Sequence, residues 1–248
     1  MESATHAAIM NERSAALVTG ASRGLGLALA RRLAQRGHPV VMVARERLPL
    51  EAEALRIRDR GGLVHTVAGD LGRPLDARSI AAQATALVGP IGLLIHNAST
   101  LGPLPMRALA DTSPEALQAV LEVNVLGPFR LTQALMGSLG PGGTVLHVSS
   151  DAAVEAYPGW GAYSVSKAAL DHLSRVWAAE LGDAGVRMLS VDPGEMRTQM
   201  HADALPDADP QSLADPDEVA ARIMALLDDR RAAPSGSRVT AGHWAVAA

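Results

Sequence analysis

Short apolar runs alternate with amphipathic stretches along almost the whole chain, and this alternation predicts the elements. Residues 14–18, 40–43, 63–67, 91–95, 144–148 and 186–191 are compact runs rich in Ala, Val, Leu and Ile. Runs of that length and composition read as strands buried on both faces. Helical spacing fills the gaps. Leu25, Leu29 and Leu33 stand at i, i+4 intervals, and Gly37 follows where a C-terminal cap belongs. Residues 51–60, 80–88 and 217–227 read as further helices. Ser113-Pro114-Glu115 has the cap-then-proline form of a helix start. That helix is expected to pass Asn124, bend at Gly127-Pro128 and reach Leu139. Residues 160–181 predict a long helix with Leu170, Leu173, Val176 and Trp177 on one side, and residues 238–240 a last edge strand.

Strands alternating with helices imply right-handed β-α-β crossovers and a parallel sheet covered on both faces. The expected fold is therefore α/β: a single-domain, Rossmann-type, doubly wound parallel sheet of about seven strands. No repeat or linker divides the chain, so one domain is expected over residues 14–248, after a short ragged tail at 1–13. Residues 195–216 are rich in Met, Asp and Pro and lack a period. A long irregular segment in a compact domain is often functional, and a substrate lid is expected there.

Composition narrows the function. The formal charge of −4 leaves no basic footprint of the kind nucleic acid requires. The absence of cysteine removes disulfides, a thiol nucleophile and thiolate metal sites. Residues 1–13 include Glu2 and Glu12 and do not read as a signal peptide, and no segment approaches the ~20 apolar residues of a spanning helix. A cytoplasmic protein without a membrane partner is expected. Eight histidines form no i, i+4 pair, so no metal site is expected. His147 reads as a satisfied core histidine, and Asp151 and Glu155 as a solvated loop, with a place on the substrate pocket wall the alternative for either.

The first strand runs into Thr19-Gly20-Ala21-Ser22-Arg23-Gly24-Leu25-Gly26. Gly20 suits a tight turn, Gly24 a close backbone approach to a ligand, and Gly26 close packing of helix on strand. The helix that follows offers unpaired N–H groups to a pyrophosphate. An NAD site usually carries an acidic residue at the end of the second strand; here Ala44 is followed by Arg45. Arg45 with Arg23 suits a 2′-phosphate, favouring NADP(H) over NAD(H), with Glu46 as ribose ligand the alternative.

Tyr163 and Lys167 are four apart in a helical segment and share a face. A phenol ionises near pH 10, and a neighbouring ammonium favours the phenolate, so the pair suits proton transfer. Ser149-Ser150 ends a strand upstream of them.

Taken together, these residues resemble the classical short-chain dehydrogenase/reductase family over nearly the whole chain. The family's glycine motif matches residues 19–26, and its adenine-contacting acid matches Asp70, with Leu71 beside it. Its Asn-Asn-Ala-Gly motif appears as His96-Asn97-Ala98-Ser99, departing at both ends. Its catalytic tetrad matches Asn124, Ser150, Tyr163 and Lys167; Pro193-Gly194 and Thr198 match the nicotinamide segment. The resemblance implies an NADP-dependent oxidoreductase of a small carbonyl or alcohol. Ser150 would bind the substrate oxygen, Tyr163 exchange the proton, Lys167 bind the nicotinamide ribose, and Asn124 hold a water leading to solvent. Tyr157, Trp160, Met196 and Met200, with His201 and Leu205, are pocket candidates. A homodimer or homotetramer through the two long helices is expected. The alternatives are an NAD-dependent alcohol dehydrogenase and a non-catalytic nucleotide sensor.

Overall fold

The computed structural model describes residues 14–244; the tail expected at 1–13 lies outside the described residues. Seven strands form one parallel sheet: β1 (Ala15–Thr19), β2 (Val40–Ala44), β3 (Val64–Ala68), β4 (Ile91–His96), β5 (Thr144–Val148), β6 (Arg187–Asp192) and β7 (Arg238–Thr240). Their order is β3-β2-β1-β4-β5-β6-β7. The chain winds outward in both directions from β1 and β4, which leaves a crevice at the carboxyl ends of those strands.

Helices α1 (Gly24–Gln35), α2 (Arg47–Arg58) and α8 (Pro216–Asp228) cover one face. Leu29, Leu33, Leu50, Ile223 and Leu227 pack there on Val18, Met42, Leu146 and Leu189. On the other face lie α3 (Asp76–Val88), α4 (Pro114–Leu121), α5 (Gly127–Leu135) and α6 (Gly161–Glu180). Ile80, Leu131 and Leu135 meet Leu17, Val43, Leu94 and Met188. Each fully buried Leu or Ile contributes roughly 2 kcal/mol, and both faces are continuous enough to hold the sheet rigid beneath the crevice.

The second face turns polar toward β7. Strand register sets His96, His147, Ser190 and Arg238 side by side. The stripe that α6 buries is Tyr163, Ser166, Lys167, Leu170, Asp171 and Ser174. This corrects the apolar side expected of that helix: of its four residues only Leu170 is buried, while Val176 is 41% exposed. The helix turns a largely polar stripe to the sheet, which leaves Leu173 and Trp177 half-buried beside it and Val176 exposed.

The helix expected to run unbroken from 114 is interrupted earlier than Gly127-Pro128. Ser113 Oγ caps α4 by accepting the Ala116 N–H. A π-helical turn, Glu122–Leu126, then joins α4 to α5. Pro128 has no N–H to give the Asn124 carbonyl four residues back, so the α pattern cannot continue there. The Gly127 N–H instead reaches the Glu122 carbonyl. The irregular stretch 195–216 contains a short helix, α7 (Gln199–Ala204), capped by Thr198 Oγ1, and an isolated bridge between Met196 and Ala214. Among the described residues no helix is long and apolar enough to cross a membrane.

Candidate active site

The turn between β1 and α1 is held by its neighbour β4. Thr19 Oγ1 donates to the Ile95 carbonyl and accepts the N–H groups of Asn97 (3.0 Å) and Ala98 (3.1 Å). Asn97 Nδ2 donates to the carbonyls of Thr19 and Gly20. Gly20 and Gly24 have φ of +67° and +54°, a region that side chains disfavour. At Gly26 a Cβ would lie 2.4 Å from both Asn97 Nδ2 and the Gly20 oxygen, so helix and strand approach as closely as glycine alone permits.

The N-terminus of α1 has no side-chain cap and no acidic residue in its first turn. Its first N–H groups and the positive end of its dipole therefore remain free for an anion at the cleft. Arg45 is exposed at the end of β2, on the rim of the same cleft as Arg23. Asp70 receives the Gly72 N–H at 2.9 Å, which closes the turn after β3 beside Leu71. These groups together fit a dinucleotide.

One cleft of about 760 Å³ joins this turn to the catalytic candidates. Of the predicted cofactor residues, Gly20, Ser22, Arg23, Gly24, Leu25, Arg45, Asp70, Leu71, Asn97, Ala98, Pro193, Gly194 and Thr198 line it, with Ser150, Tyr163 and Lys167. Gly26 and Asn124 support it from behind. The predicted pocket residues Tyr157, Trp160, Met196 and Met200 line it too, as do His201 and Leu205.

Lys167 Nζ donates to the Val148 carbonyl at 2.8 Å and lies 5.5 Å from the centre of the Tyr163 ring. Burial pushes the Tyr163 phenol up to about 12; the Ser150 hydroxyl acts the other way, while the charges of Asp151 and Asp192 raise it further. The depression expected from Lys167 is not what the phenol shows: desolvation and two carboxylates raise it instead. Burial lowers Lys167 to about 8, against the charge of Asp171.

Asn124 is buried and its amide is fully engaged. It donates to the Thr100 carbonyl and Ser166 Oγ, and accepts from Thr100 N–H and Ser99 Oγ. Ser99, where the family motif has glycine, is thereby tied to the catalytic helix. His96, the other departure, meets Thr132 Oγ1 at 2.8 Å and stacks on His147 at 5.0 Å. His147 is buried as expected but not satisfied: neither ring nitrogen has a hydrogen-bond partner among the described residues. Burial lowers it to about 4, the Leu189 carbonyl opposing and the Lys167 charge adding to the shift. Burial and His147 likewise hold His96 well below its ordinary value.

Three features were left open or unseen by the sequence reading. Asp151 does not sit in a loop apart from the chemistry: Ser150 Oγ donates to its Oδ1 (2.9 Å) and the Tyr157 hydroxyl to its Oδ2 (2.8 Å). Burial pushes the Asp151 carboxyl up, but bonds from Tyr157, Ser150 and the Ala152 N–H outweigh that and hold it below the usual value. Arg238, on the edge strand, reaches the Ser150 carbonyl at 2.8 Å. The third was legible by counting: Lys167 is the only lysine in the sequence, every other Lys or Arg position being arginine.

A twisted parallel sheet, a glycine turn at its switch point and a Ser-Tyr-Lys constellation in the same cleft define a nucleotide-dependent oxidoreductase. The family model described as short chain dehydrogenase matches residues 14–209. The chain belongs to the short-chain dehydrogenase/reductase family. It is 34% identical to dehydrogenase/reductase SDR family member 4 of Bos taurus, over 75% of this chain and 67% of that one. An uncharacterized oxidoreductase of Mycobacterium tuberculosis is 33% identical, over 91% of this chain and 87% of the other. Among solved structures, a short chain dehydrogenase from Salmonella enterica serovar Typhi superposes with a TM-score of 0.85 at 31% identity, covering 94% of this chain and 97% of that one. One from Burkholderia cenocepacia in complex with NADP gives 0.81 at 28% identity, covering 92% and 95%.

Proposed function

We propose that the chain is an NADP(H)-dependent reductase of small carbonyl compounds, with Tyr163 as the general acid. The observation that carries this reading is the single cleft in which the free N-terminus of α1, Arg45 and the Ser150–Tyr163–Lys167 group lie together. Arg23 and Arg45 are suited to grip a 2′-phosphate, and the structure from Burkholderia cenocepacia, a complex with NADP, agrees with that choice. A nicotinamide bound in the cleft supplies the hydride.

The residues of the chain then manage the oxygen. A phenol pushed up to about 12 is protonated at neutral pH, the form that donates to a carbonyl oxygen during reduction. Ser150 adds a second donor to the developing alkoxide once its hydroxyl leaves Asp151. Lys167 has two further N–H groups beyond the one on Val148, available to the nicotinamide ribose and to a water. That water would be held by the Asn124 main-chain carbonyl, since its amide has no valence to spare and Pro128 offers no N–H. Residues 195–216 act as the lid, with Met196 and Met200 as adaptable apolar walls beside Tyr157 and Trp160. The exposed Val165 and Val176 on the outer face of α6 support a homodimer or homotetramer formed there.

The test is a panel of ketones and aldehydes followed by loss of NADPH absorbance, repeated with NADH. Turnover with NADPH and slower turnover with NADH supports the reading. Cofactor binding without turnover of any carbonyl would replace it with the sensor alternative.

A further inference from the structure

We propose that Arg238 is a positioning residue for the reaction centre, clamping the Ser150 carbonyl, Asp171 and Asp192 and so screening Lys167 and Tyr163 from two buried carboxylates. The inference rests on Tyr163 and Lys167 being the reacting pair.

Arg238 stands on β7, level with Ser190 on β6 and His147 on β5. Its Nε donates to Asp171 Oδ2 at 2.8 Å, and its Nη2 to the Ser150 carbonyl at 2.8 Å, with Asp192 Oδ2 3.5 Å away. One guanidinium therefore ties together the strand end that presents Ser150, the helix that carries Tyr163 and Lys167, and the residue before Pro193-Gly194. Asp171 follows Lys167 by one helical turn, so the stripe Tyr163, Lys167, Asp171 runs straight from the cleft to Arg238.

The charges around this stripe leave Arg238 as the counter-ion. The side chains of Asp171 and Asp192 are only 7% and 9% exposed, so water screens them poorly. His96 and His147, on β4 and β5, are neutral at pH 7 because burial holds both below their ordinary values. Asp151, beyond β5, is engaged by Ser150 and Tyr157; Glu122, on the π-helical turn, is paired with Arg130. Asp171 raises Lys167 and Asp192 raises Tyr163. Removing the arginine leaves both carboxylates uncompensated, and an unpaired negative charge stabilises the ammonium and opposes the phenolate. A lysine at 238 keeps the charge but loses the fork that spans three acceptors.

The single lysine makes this measurable without catalysis. Protein grown with isotope-labelled lysine gives one side-chain resonance, and its pH titration reads Lys167 alone. Relative to wild type, Arg238→Met should move the midpoint up by about one pH unit, and Asp171→Asn should move it down. In the Asp171→Asn background, Arg238→Met should have a much smaller effect. Arg238→Lys, whose added lysine gives a second and separable resonance, should leave the Lys167 midpoint near wild type. In parallel, the ascending limb of alcohol oxidation by the Arg238→Met protein should move to higher pH, a change that a loss of packing alone would not produce. An unmoved Lys167 midpoint in folded Arg238→Met overturns the proposal. Should that protein not fold, Arg238→Lys shifting the midpoint upward, or Asp171→Asn leaving it in place, overturns it equally. A wild-type protein without turnover sinks the reductase reading yet leaves the lysine titration to decide this one.

Discussion

At the turn between β1 and α1 the chemistry lies in the backbone, in two glycines of positive φ, a third with no room for a Cβ, and a row of unclaimed N–H groups. Beneath Tyr163 it lies almost wholly in side chains: Lys167, Asp171, Ser166, Asn124 and His147 are buried together, and the half-buried Arg238 closes the group from the edge strand. The first region takes its shape from a contiguous run of residues braced by Asn97 and Ala98 of the neighbouring strand end, and it tolerates charge because it opens to solvent. The second depends on distant partners and a desolvated layer, so each charge there acts on the others. One part binds by shape; the other sets protonation.

The comparison predicts where substitutions act. Largest is Tyr163→Phe, which removes the proposed general acid: kcat should fall on the order of 10²–10⁴-fold while NADPH binding, followed by fluorescence, persists. Unchanged turnover would break the assignment. Next comes the acid sensitivity of the buried layer. His147 sits at about 4 when folded and near 6.5 when unfolded, so between those values the unfolded chain binds the extra proton. Stability should fall as pH drops from 6.5 to 4, by about 3 kcal/mol for this group. His147→Leu should flatten that slope in urea unfolding at several pH values, and an identical slope would remove the histidine from the account.

On the backbone side, Gly26→Ala must push Asn97 and Gly20 apart. A loss of roughly 1–3 kcal/mol in unfolding free energy is expected, together with weaker cofactor binding. Wild-type stability and affinity would mean the turn yields more easily than its geometry implies. The smallest effect is selective: Arg45→Asp should weaken NADPH binding about tenfold more than NADH binding, a difference of ~1.4 kcal/mol, measured by titrating both cofactors. Equal losses would take Arg45 out of the 2′-phosphate site.

The same contrast governs what the sequence reveals. The glycine turn, the first six strands, and Tyr163-x-x-x-Lys167 depend on local spacing, and each stands where its pattern put it, although β3 is an edge strand and only partly buried. The π-helical turn was encoded locally too, in Pro128 four residues after Asn124, but a proline near a predicted bend hides which carbonyl it frees. Partnerships across the chain leave no periodic trace. Arg238 lies 88 residues from Ser150 and 67 from Asp171. Nothing near Asp171 in the sequence marks it as a buried carboxylate, and nothing near Asp151 marks it as the partner of Ser150 and Tyr157. The apolar side of α6 misled for the opposite reason: its period is clear, but the helix spends its buried side on polar chemistry.

A chain whose every other Lys or Arg position is arginine has a practical side. Acylating reagents, aldehydes and amine-directed cross-linkers consume lysines on most protein surfaces before they reach a reactive centre. Here the one lysine is only 2% exposed and lines the cleft. Such a reagent shaped to enter the cleft becomes a counter of competent molecules, and a bound ligand that blocks its incorporation reports its own occupancy.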